Sequence, residues 1–209
     1  MTKSYNSNIY FYIKIKNNLK NKKMKNLILT LSIVLIVFSG LKAQSFMTKT
    51  GHAQFFSETV AENITANNYK MVSTLDSKTG AMVFSVPIQS FEFEKSMMQK
   101  HFNQENYMDS KKYPKAKFKG AVTNIGDVDF TKDGTYNVTI KGDMTIKGKT
   151  KSITEKGTLQ VKGTEVVGKS TFNIAIADYG VGKPPKKSKT ESVADVVKVS
   201  VDLNYKPKN

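Results

Sequence analysis

Apolar and polar residues alternate over short segments along most of the chain after residue 44. Alternation with a period of two is typical of β-strands that bury one face. It is clearest in Thr135 to Ile146 and in Val197 to Tyr205, where nearly every second residue is apolar. The pattern predicts an all-β domain in which only Thr59 to Ala66 is ambiguous. The predicted strands are His52 to Ser57, Lys70 to Asp76, Ala81 to Ile88, Ala116 to Ile125, Thr135 to Ile146, Thr150 to Val161, Glu165 to Ile176 and Val197 to Tyr205.

Short turn sequences separate these strands. Ser77 to Gly80 is a four-residue loop that ends in glycine, and Asp133-Gly134 is a strong turn dipeptide. Consecutive strands joined by tight turns run antiparallel, and an up-and-down barrel of eight such strands leaves no exposed edge. A two-sheet sandwich has the same sequence pattern, so it stays open as the alternative. Gly142 interrupts the apolar row of its strand, which predicts a bulge or a sharp bend.

One segment, Phe91 to Gly120, departs from the strand pattern. Several of its apolar residues have helical spacing, which predicts one or two short helical turns. Tyr113-Pro114 is predicted to end the helix, because proline disfavours the helical conformation in the residue before it. The segment is either a core-packing helix or a lid over a hollow barrel, and methionine suits both roles. The residues at this spacing are Met97, Met98, His101, Phe102, Tyr107 and Met108.

The first 43 residues are predicted to lie outside the domain. Lys25 follows Met24, an apolar run extends from Leu27 to Phe38, and a small residue, Ala43, comes shortly afterwards. This order is typical of a secretory signal peptide with Met24 as the true start and cleavage after Ala43. Residues 1–23 are then an upstream extension or a long basic leader. The domain is predicted to span 44–209 and to be soluble in the periplasm or secreted further.

Charge and composition exclude some classes of protein. The net charge is +16, but residues 1–43 hold eight lysines and no acid, so the domain itself carries about +8. All 33 basic residues are lysines, whereas nucleic-acid readers rely on arginine forks, so no nucleic-acid partner is predicted. A lysine-rich surface predicts transient contact with anionic membrane surfaces. The chain has no cysteine, which excludes both disulfides and anchoring through a lipidated cysteine.

No catalytic motif stands out. His52 and His101 are the only histidines, and without cysteine a nucleophile–histidine pair or a structural zinc site has few places to form. His101 lies beside Phe102, where a packed histidine is favoured over a proton-transfer role. No glycine-rich phosphate loop is present. The sequence therefore predicts no enzyme, no cofactor and no metal, with a lipid hydrolase or isomerase as a minor alternative.

Four blocks of sequence together resemble a known family. They are HFNQENYMDSKKYPKAKFKG (His101 to Gly120), YNVTIKGDMTIKGKTKSIT (Tyr136 to Thr154), FNIAIADYGVG (Phe172 to Gly182) and ADVVKVSVDLNY (Ala194 to Tyr205). In this order they are similar to the YceI-like family of periplasmic polyisoprenoid-binding proteins, from about His52 to Tyr205. The resemblance implies a lipocalin-like, eight-stranded antiparallel β-barrel with a helical insertion and a hydrophobic pocket for an isoprenoid chain, such as a quinone or polyprenyl lipid.

The expected function is a carrier or sequestering protein for an amphiphilic isoprenoid lipid, serving transport, respiration or the response to envelope stress. A structural or interaction barrel with a filled interior is the alternative. The oligomeric state stays open, a dimer included, and so does the choice of strand face that points inward. The expected wall and lid residues are Phe84, Phe91, Phe93, Met97, Met98, Phe102, Tyr107, Met108, Phe118 and Phe172. The expected mouth residues are His101, Asp178 and Tyr179.

Overall fold

The structure, a computed structural model, describes residues 13–14, 44–58, 62–182 and 193–208. The predicted leader of residues 1–43 falls outside the described residues, except for the exposed Ile13 and Lys14. None of the helices in the described ranges is long and apolar enough to span a membrane. The strands and the α-helix in these ranges are β1 (Ser45–Ser57), β2 (Ile64–Asp76), β3 (Ala81–Pro87), β4 (Glu92–Phe93), α1 (Ser96–Phe102), β5 (Lys115–Val122), β6 (Gly134–Ile146), β7 (Lys149–Lys162), β8 (Glu165–Ala175) and β9 (Val196–Pro207).

Eight of the strands close into one antiparallel barrel. The hydrogen-bonded order is β1, β9, β8, β7, β6, β5, β3 and β2, and β2 pairs back onto β1 to close the ring. The two-residue strand β4 adds to the outer end of β2 at Ala66 and Asn67. The predicted eight-stranded barrel with a helical insertion is therefore confirmed, and the sandwich alternative is wrong.

The two ends of the barrel differ. At the end where β1 begins and β9 finishes, which we call the floor, the interior is filled by fully buried side chains. Phe46 stacks on Phe130 there with ring centroids 5.4 Å apart. The opposite end, which we call the open end, carries the β6–β7 turn, residues 88–114, which we call the helical insertion, and residues 176–182, which we call the loop after β8. The largest buried side chains of the floor include Phe46, Leu75, Val122, Val161, Val166 and Tyr205.

The structure shows which face of each alternating strand points into the barrel. In β3 the face with Met82, Phe84 and Val86 points inward, and Ala81 and Val83 are exposed. Gly142 does not form the predicted bulge, because β6 pairs with β5 and β7 without a register shift there. It lies opposite Gly120 on β5, and a Cβ on Gly142 would meet the Gly120 Cα at 2.4 Å and the Phe118 ring at 2.8 Å. Close packing of two backbones under an aromatic ring explains both glycines.

The first strand begins earlier than predicted. β1 starts at Ser45 rather than His52 and pairs with β2 and β9 along its length. Register shifts between Thr48 and Gly51 and between Gly51 and Ala53 break the period of two. A bulge of this kind moves the side chains that follow it to the other face of the strand. Apolar and polar residues therefore stop alternating across the bulge.

The helix has the predicted one or two turns, but it ends earlier than predicted. α1 ends at Phe102, well before Tyr113-Pro114, so the predicted stop is wrong. Asn103 ends it, because its side-chain amide donates to the Gln99 carbonyl at 2.8 Å and its own carbonyl accepts from the Ser110 amide. Residues 103–113 then fold into tight turns that bury Met108.

Candidate ligand-binding site

A cavity of about 850 Å³ occupies the open half of the barrel. Its wall comes from the inward faces of the strands and its cover from the helical insertion and the loop after β8. Most of the lining side chains are aliphatic, aromatic or methionine. The apolar lining residues are Ala53, Phe55, Ile64, Met71, Phe84, Val86, Ile88, Phe91, Phe93, Met97, Met98, Phe102, Tyr107, Met108, Ala116, Met144, Ile146, Phe172, Ile174, Ile176, Tyr179, Val181, Val193, Val197, Val199 and Val201.

Four phenylalanine rings attach the helical insertion to the barrel wall. Phe102 of α1 contacts Phe55 of β1, Phe91 and Phe93, with ring centroids 5.0 to 5.5 Å apart. Phe55 also contacts Phe91 and Phe93 directly. Tilted and offset ring pairs at such distances are individually favourable, so the cluster gives the insertion a defined seat. We call these four residues the aromatic seat.

The insertion is a cover that is itself partly exposed to solvent. Met97 is 59% exposed, and Met98 is half-buried against the cavity. None of the α1 residues is fully buried. A short helix with one apolar side over a cavity and no deep burial is held by few contacts, so it belongs to the low-stability part of the fold.

Polar groups surround the entrance near α1. Lys95 donates to the Glu62 carboxylate in an ion pair at the surface, and both residues line the cavity mouth. The polar side chains of Gln54, His101 and Gln104 also lie along this lining. An apolar interior with a few polar groups at the mouth is the usual form of a site for an amphiphilic small molecule.

Two loops of the open end are tied to each other. The Lys147 ammonium donates to the carbonyls of Glu105 and Gly180, at 2.8 and 3.0 Å. The Gly182 amide donates to the Asn106 carbonyl at 3.0 Å. These bonds join the helical insertion to the loop after β8, so the two parts of the cover form one layer.

Tyr179 is a buried residue of this cover and carries a phenol hydroxyl. It lies at the end of the 3₁₀ helix Ile176–Tyr179 and is 4% exposed. Burial raises the pKa of its phenol above the ordinary value near 10, and the adjacent Asp178 carboxylate raises it further. The phenol therefore stays protonated and neutral beside the cavity.

The structure brings most of the expected site residues together. Two of them lie elsewhere. Phe118 stacks on Phe84 at 4.7 Å and packs below the large cavity, over the paired glycines. Asp178 is exposed and faces Lys151 outside the cavity, at 3.8 Å. The expected residues that line the cavity are Phe84, Phe91, Phe93, Met97, Met98, His101, Phe102, Tyr107, Met108, Phe172 and Tyr179.

The site offers little reactive chemistry. His101 lies along the cavity lining, but it is exposed to solvent on α1. No group of three or more histidine, aspartate and glutamate side chains within the described ranges is placed to hold a metal ion. The arrangement favours burial of an apolar molecule, and its hydrogen-bonding groups lie at the openings.

Comparison with known proteins places this barrel in a family. Residues 39–205 match the sequence model of the YceI-like domain. The chain belongs to the YceI-like family. No curated protein matches it in sequence.

Solved structures share the fold of this YceI-like barrel. Burkholderia cenocepacia BcnA is 21% identical with a TM-score of 0.61, over 74% of this chain and 95% of that one. A polyisoprenoid-binding domain from Saccharophagus degradans, implicated in plant cell wall breakdown, is 13% identical with a TM-score of 0.66, over 80% and 100%. The Campylobacter jejuni YCEI protein is 17% identical with a TM-score of 0.55, over 73% and 90%. At these identities the likeness shows the fold alone.

Two residues of the YceI-like cavity were not predicted from the sequence. Phe55 belongs to the aromatic seat and Met144 to the base of the cavity, although neither was among the expected residues. Each lies on the apolar face of a predicted strand, so the alternation carried the signal. The sequence does not show which face of β1 points inward, so the alternation could not assign Phe55 rather than its neighbour Phe56 to the cavity.

Proposed function

We propose that this protein binds one amphiphilic isoprenoid lipid, of polyprenyl or quinone type, and carries or sequesters it in the cell envelope. The tail lies in the cavity of the open half, and the polar end stays at an opening. The residues expected from sequence to form the wall and lid, apart from Phe118, hold the tail, and His101 and Tyr179 lie at the cover.

The observation that carries this proposal is the cavity with an apolar lining inside the barrel. A volume of about 850 Å³ falls within the ~300 to 1,000 Å³ usual for small-molecule sites. Each methylene that leaves water for such an interior contributes roughly 0.8 kcal/mol. A few isoprene units therefore outweigh the cost of ordering the chain, and a water-filled cavity of this lining is unfavourable.

The alternatives have less support. The first alternative is a structural or interaction barrel with a filled interior, whereas the open half of this barrel holds the cavity. A lipid hydrolase or isomerase requires a positioned acid, base or nucleophile, and His101 lies exposed on the cover instead. Binding without turnover is the proposal that fits both facts.

The sequence supports a location of the protein in the cell envelope. The leader of residues 1–43 has the order of a signal peptide, with Met24 as start and Ala43 as the residue before cleavage. The domain that follows carries about +8, all of it from lysine, which favours transient contact with anionic membrane surfaces. The Saccharophagus degradans domain, which shares this fold, is a polyisoprenoid-binding domain, so a protein of this fold binds the same class of ligand.

Solvent extraction of the purified, exported protein tests the proposal. The protein is expressed with its leader, purified without detergent, extracted with organic solvent and analysed by mass spectrometry. We expect an isoprenoid lipid close to one per protein molecule. Extracts without lipid, together with failure of the stripped protein to take up added polyprenol or menaquinone, would contradict it.

A further inference from the structure

The barrel consists of two four-stranded halves that separate towards the open end. One half is β2, β1, β9 and β8, and the other is β3, β5, β6 and β7. Between β7 and β8 the ladder runs from the Lys162–Glu165 pair to the Gly157–Ser170 pair and stops there. Beyond it, residues 149–156 pair only with β6, and residues 171–175 pair only with β9. We call the space between these two segments the β7–β8 gap.

The matching separation on the other side of the barrel is covered. β2 and β3 pair only between Val72–Leu75 and Met82–Ser85. Beyond that ladder β4 adds to β2, and the Asn68 side-chain amide donates to the Pro87 carbonyl at 2.8 Å. The helical insertion fills this side, so the two separations are not equivalent.

Charged residues lie on the inner face of β7 along the gap. Lys149, Lys151 and Glu155 pair in register with Ile146, Met144 and Ile140, whose apolar side chains point into the barrel. In a closed wall these three positions would bury charge, which is costly. Lys149 and Lys151 are exposed instead, and Glu155 is half-buried. Water therefore reaches the inner face of β7 through the gap.

The gap lies next to the large cavity. A small cavity of about 40 Å³ lies at its lower end, lined by Ile153 and Glu155 from β7. Phe84, Met144, Phe172 and Val201 line both this space and the large cavity. The two spaces are therefore adjacent, and these four side chains lie between them.

The edges of the gap have complementary chemistry. Its β8 edge presents Phe172 and Ile174, which line the large cavity. Its β7 edge presents two ammonium groups and the Glu155 carboxyl. Lys151 and Asp178 face each other at 3.8 Å where the gap meets the loop after β8, and both are about half exposed. Partial burial raises the pKa of the Glu155 carboxyl above its ordinary value near 4.5.

We propose that the β7–β8 gap is a lateral opening of the cavity in which the polar end of the bound amphiphile lies. Its tail extends from there into the apolar space under the helical insertion. This inference rests on the proposed function, but it assigns the polar end to the side of the barrel rather than to the entrance beside Glu62 and Lys95.

Two probes that share an isoprenoid tail but differ in their polar end test where the polar end of the ligand lies. All-trans-retinol has a hydroxyl end, and all-trans-retinoic acid has a carboxylate. Their dissociation constants are measured by fluorescence for the wild type, Glu155→Gln and Glu62→Gln. In Glu155→Gln the ratio of the retinoic acid constant to the retinol constant should fall about fivefold, the effect of removing one like charge a few ångströms away in a solvated opening. The proposal would be overturned if this ratio stayed unchanged in Glu155→Gln and fell in Glu62→Gln.

A second measurement needs no ligand, so it separates failure of the opening from failure of the proposed function. The chain has no cysteine, so single-cysteine variants are free of background. Glu155→Cys and its register partner Ile140→Cys are treated with a maleimide on a long polyethylene glycol chain, which is too large to enter the cavity. Glu155→Cys should be labelled at least tenfold faster. Equal protection of both thiols would show a closed wall and overturn the lateral opening, whether or not the retinoids bind.

Discussion

The Tyr205 hydroxyl lies 2.7 Å from Ser73 Oγ, and this contact joins the last strand to the second across the floor of the barrel. Ser73 Oγ donates its own proton to the Val83 carbonyl at 3.0 Å, so Tyr205 is the donor in the pair. Tyr205 is fully buried, and burial raises the pKa of its phenol far above the ordinary value near 10. One hydrogen-bond chain thus links β9, β2 and β3 at the end of the barrel that holds no large cavity.

Removing this hydroxyl should weaken the floor. Tyr205→Phe keeps the ring and removes the donor, so we expect a loss of about 1 to 2 kcal/mol in the free energy of unfolding, the usual cost of a buried hydrogen bond. Urea denaturation measures it. Tyr69→Phe is the control, because Tyr69 is 53% exposed, and it should change stability by less than about 0.5 kcal/mol. Equal effects of the two variants would contradict this account of the floor.

Much of the fold was predictable because the signal was local. Thr135 to Ile146 shows a period of two that only a strand satisfies, and the structure has β6 at Gly134–Ile146. The start of β1 was not predictable, since register shifts near Gly51 break the period. The end of α1 was missed as well, because it depends on hydrogen bonds of Asn103 rather than on Pro114.

The candidate site was predictable in composition but not in shape. The apolar residues of the insertion fitted either a core-packing helix or a lid, and Met98 and Phe102 line the cavity. Asp178 was expected at the mouth together with Tyr179, but adjacent residues point in different directions, and Asp178 faces Lys151 outside the cavity. Charged residues at alternate positions of β7 were a weak sequence signal of the β7–β8 gap. This signal can be interpreted only once the inward face of β7 is known.

The paired glycines of β5 and β6 should not tolerate a side chain. A Cβ on Gly120 would lie 2.3 Å from the Lys141 carbonyl oxygen and 2.6 Å from the Phe118 ring. We expect Gly120→Ala to cost about 2 kcal/mol or more in the free energy of unfolding, because backbone and ring must shift together. Thermal unfolding followed by circular dichroism measures the change.

Gly126→Ala is the matched control for this substitution. No atom lies within 4 Å of a Cβ at Gly126, and its backbone is not left-handed. We expect a change within about 0.5 kcal/mol or a small gain from reduced freedom of the unfolded chain. A comparable loss in both variants would show that the close approach of β5 and β6 is not what excludes alanine.

The aromatic seat should hold the cover in place without supporting the floor. Phe102→Ala removes the ring that contacts Phe55, Phe91 and Phe93. Hydrogen exchange of residues 96–108 should accelerate by at least tenfold, while amides around Tyr205 keep their protection. Met97→Ala serves as the control, since Met97 is mostly exposed and should leave exchange nearly unchanged. Uniform acceleration across the barrel would contradict a separate cover.

A charge on the inner side of the cover should stop lipid uptake. Met98 lines the cavity and is half-buried, so Met98→Lys places an ammonium against the ligand tail and should reduce retinol binding by at least tenfold. Ser96→Lys adds the same charge to the exposed start of α1, outside the lining, and should bind as the wild type does. Both variants should unfold at the wild-type temperature. Unchanged binding by Met98→Lys would show that α1 does not cover the bound molecule.

The central claim is that the open half of the barrel holds an isoprenoid tail, and filling that space tests it most directly. Ala116 lines the cavity, and its neighbour Lys117 points outward from the same strand. Stripped wild type, Ala116→Trp and Lys117→Trp are titrated with retinol, and the stoichiometry is read by native mass spectrometry. We predict one retinol per molecule for the wild type and Lys117→Trp, and at least a tenfold weaker complex for Ala116→Trp. Equal binding by all three proteins, or no complex with the wild type, would contradict the account.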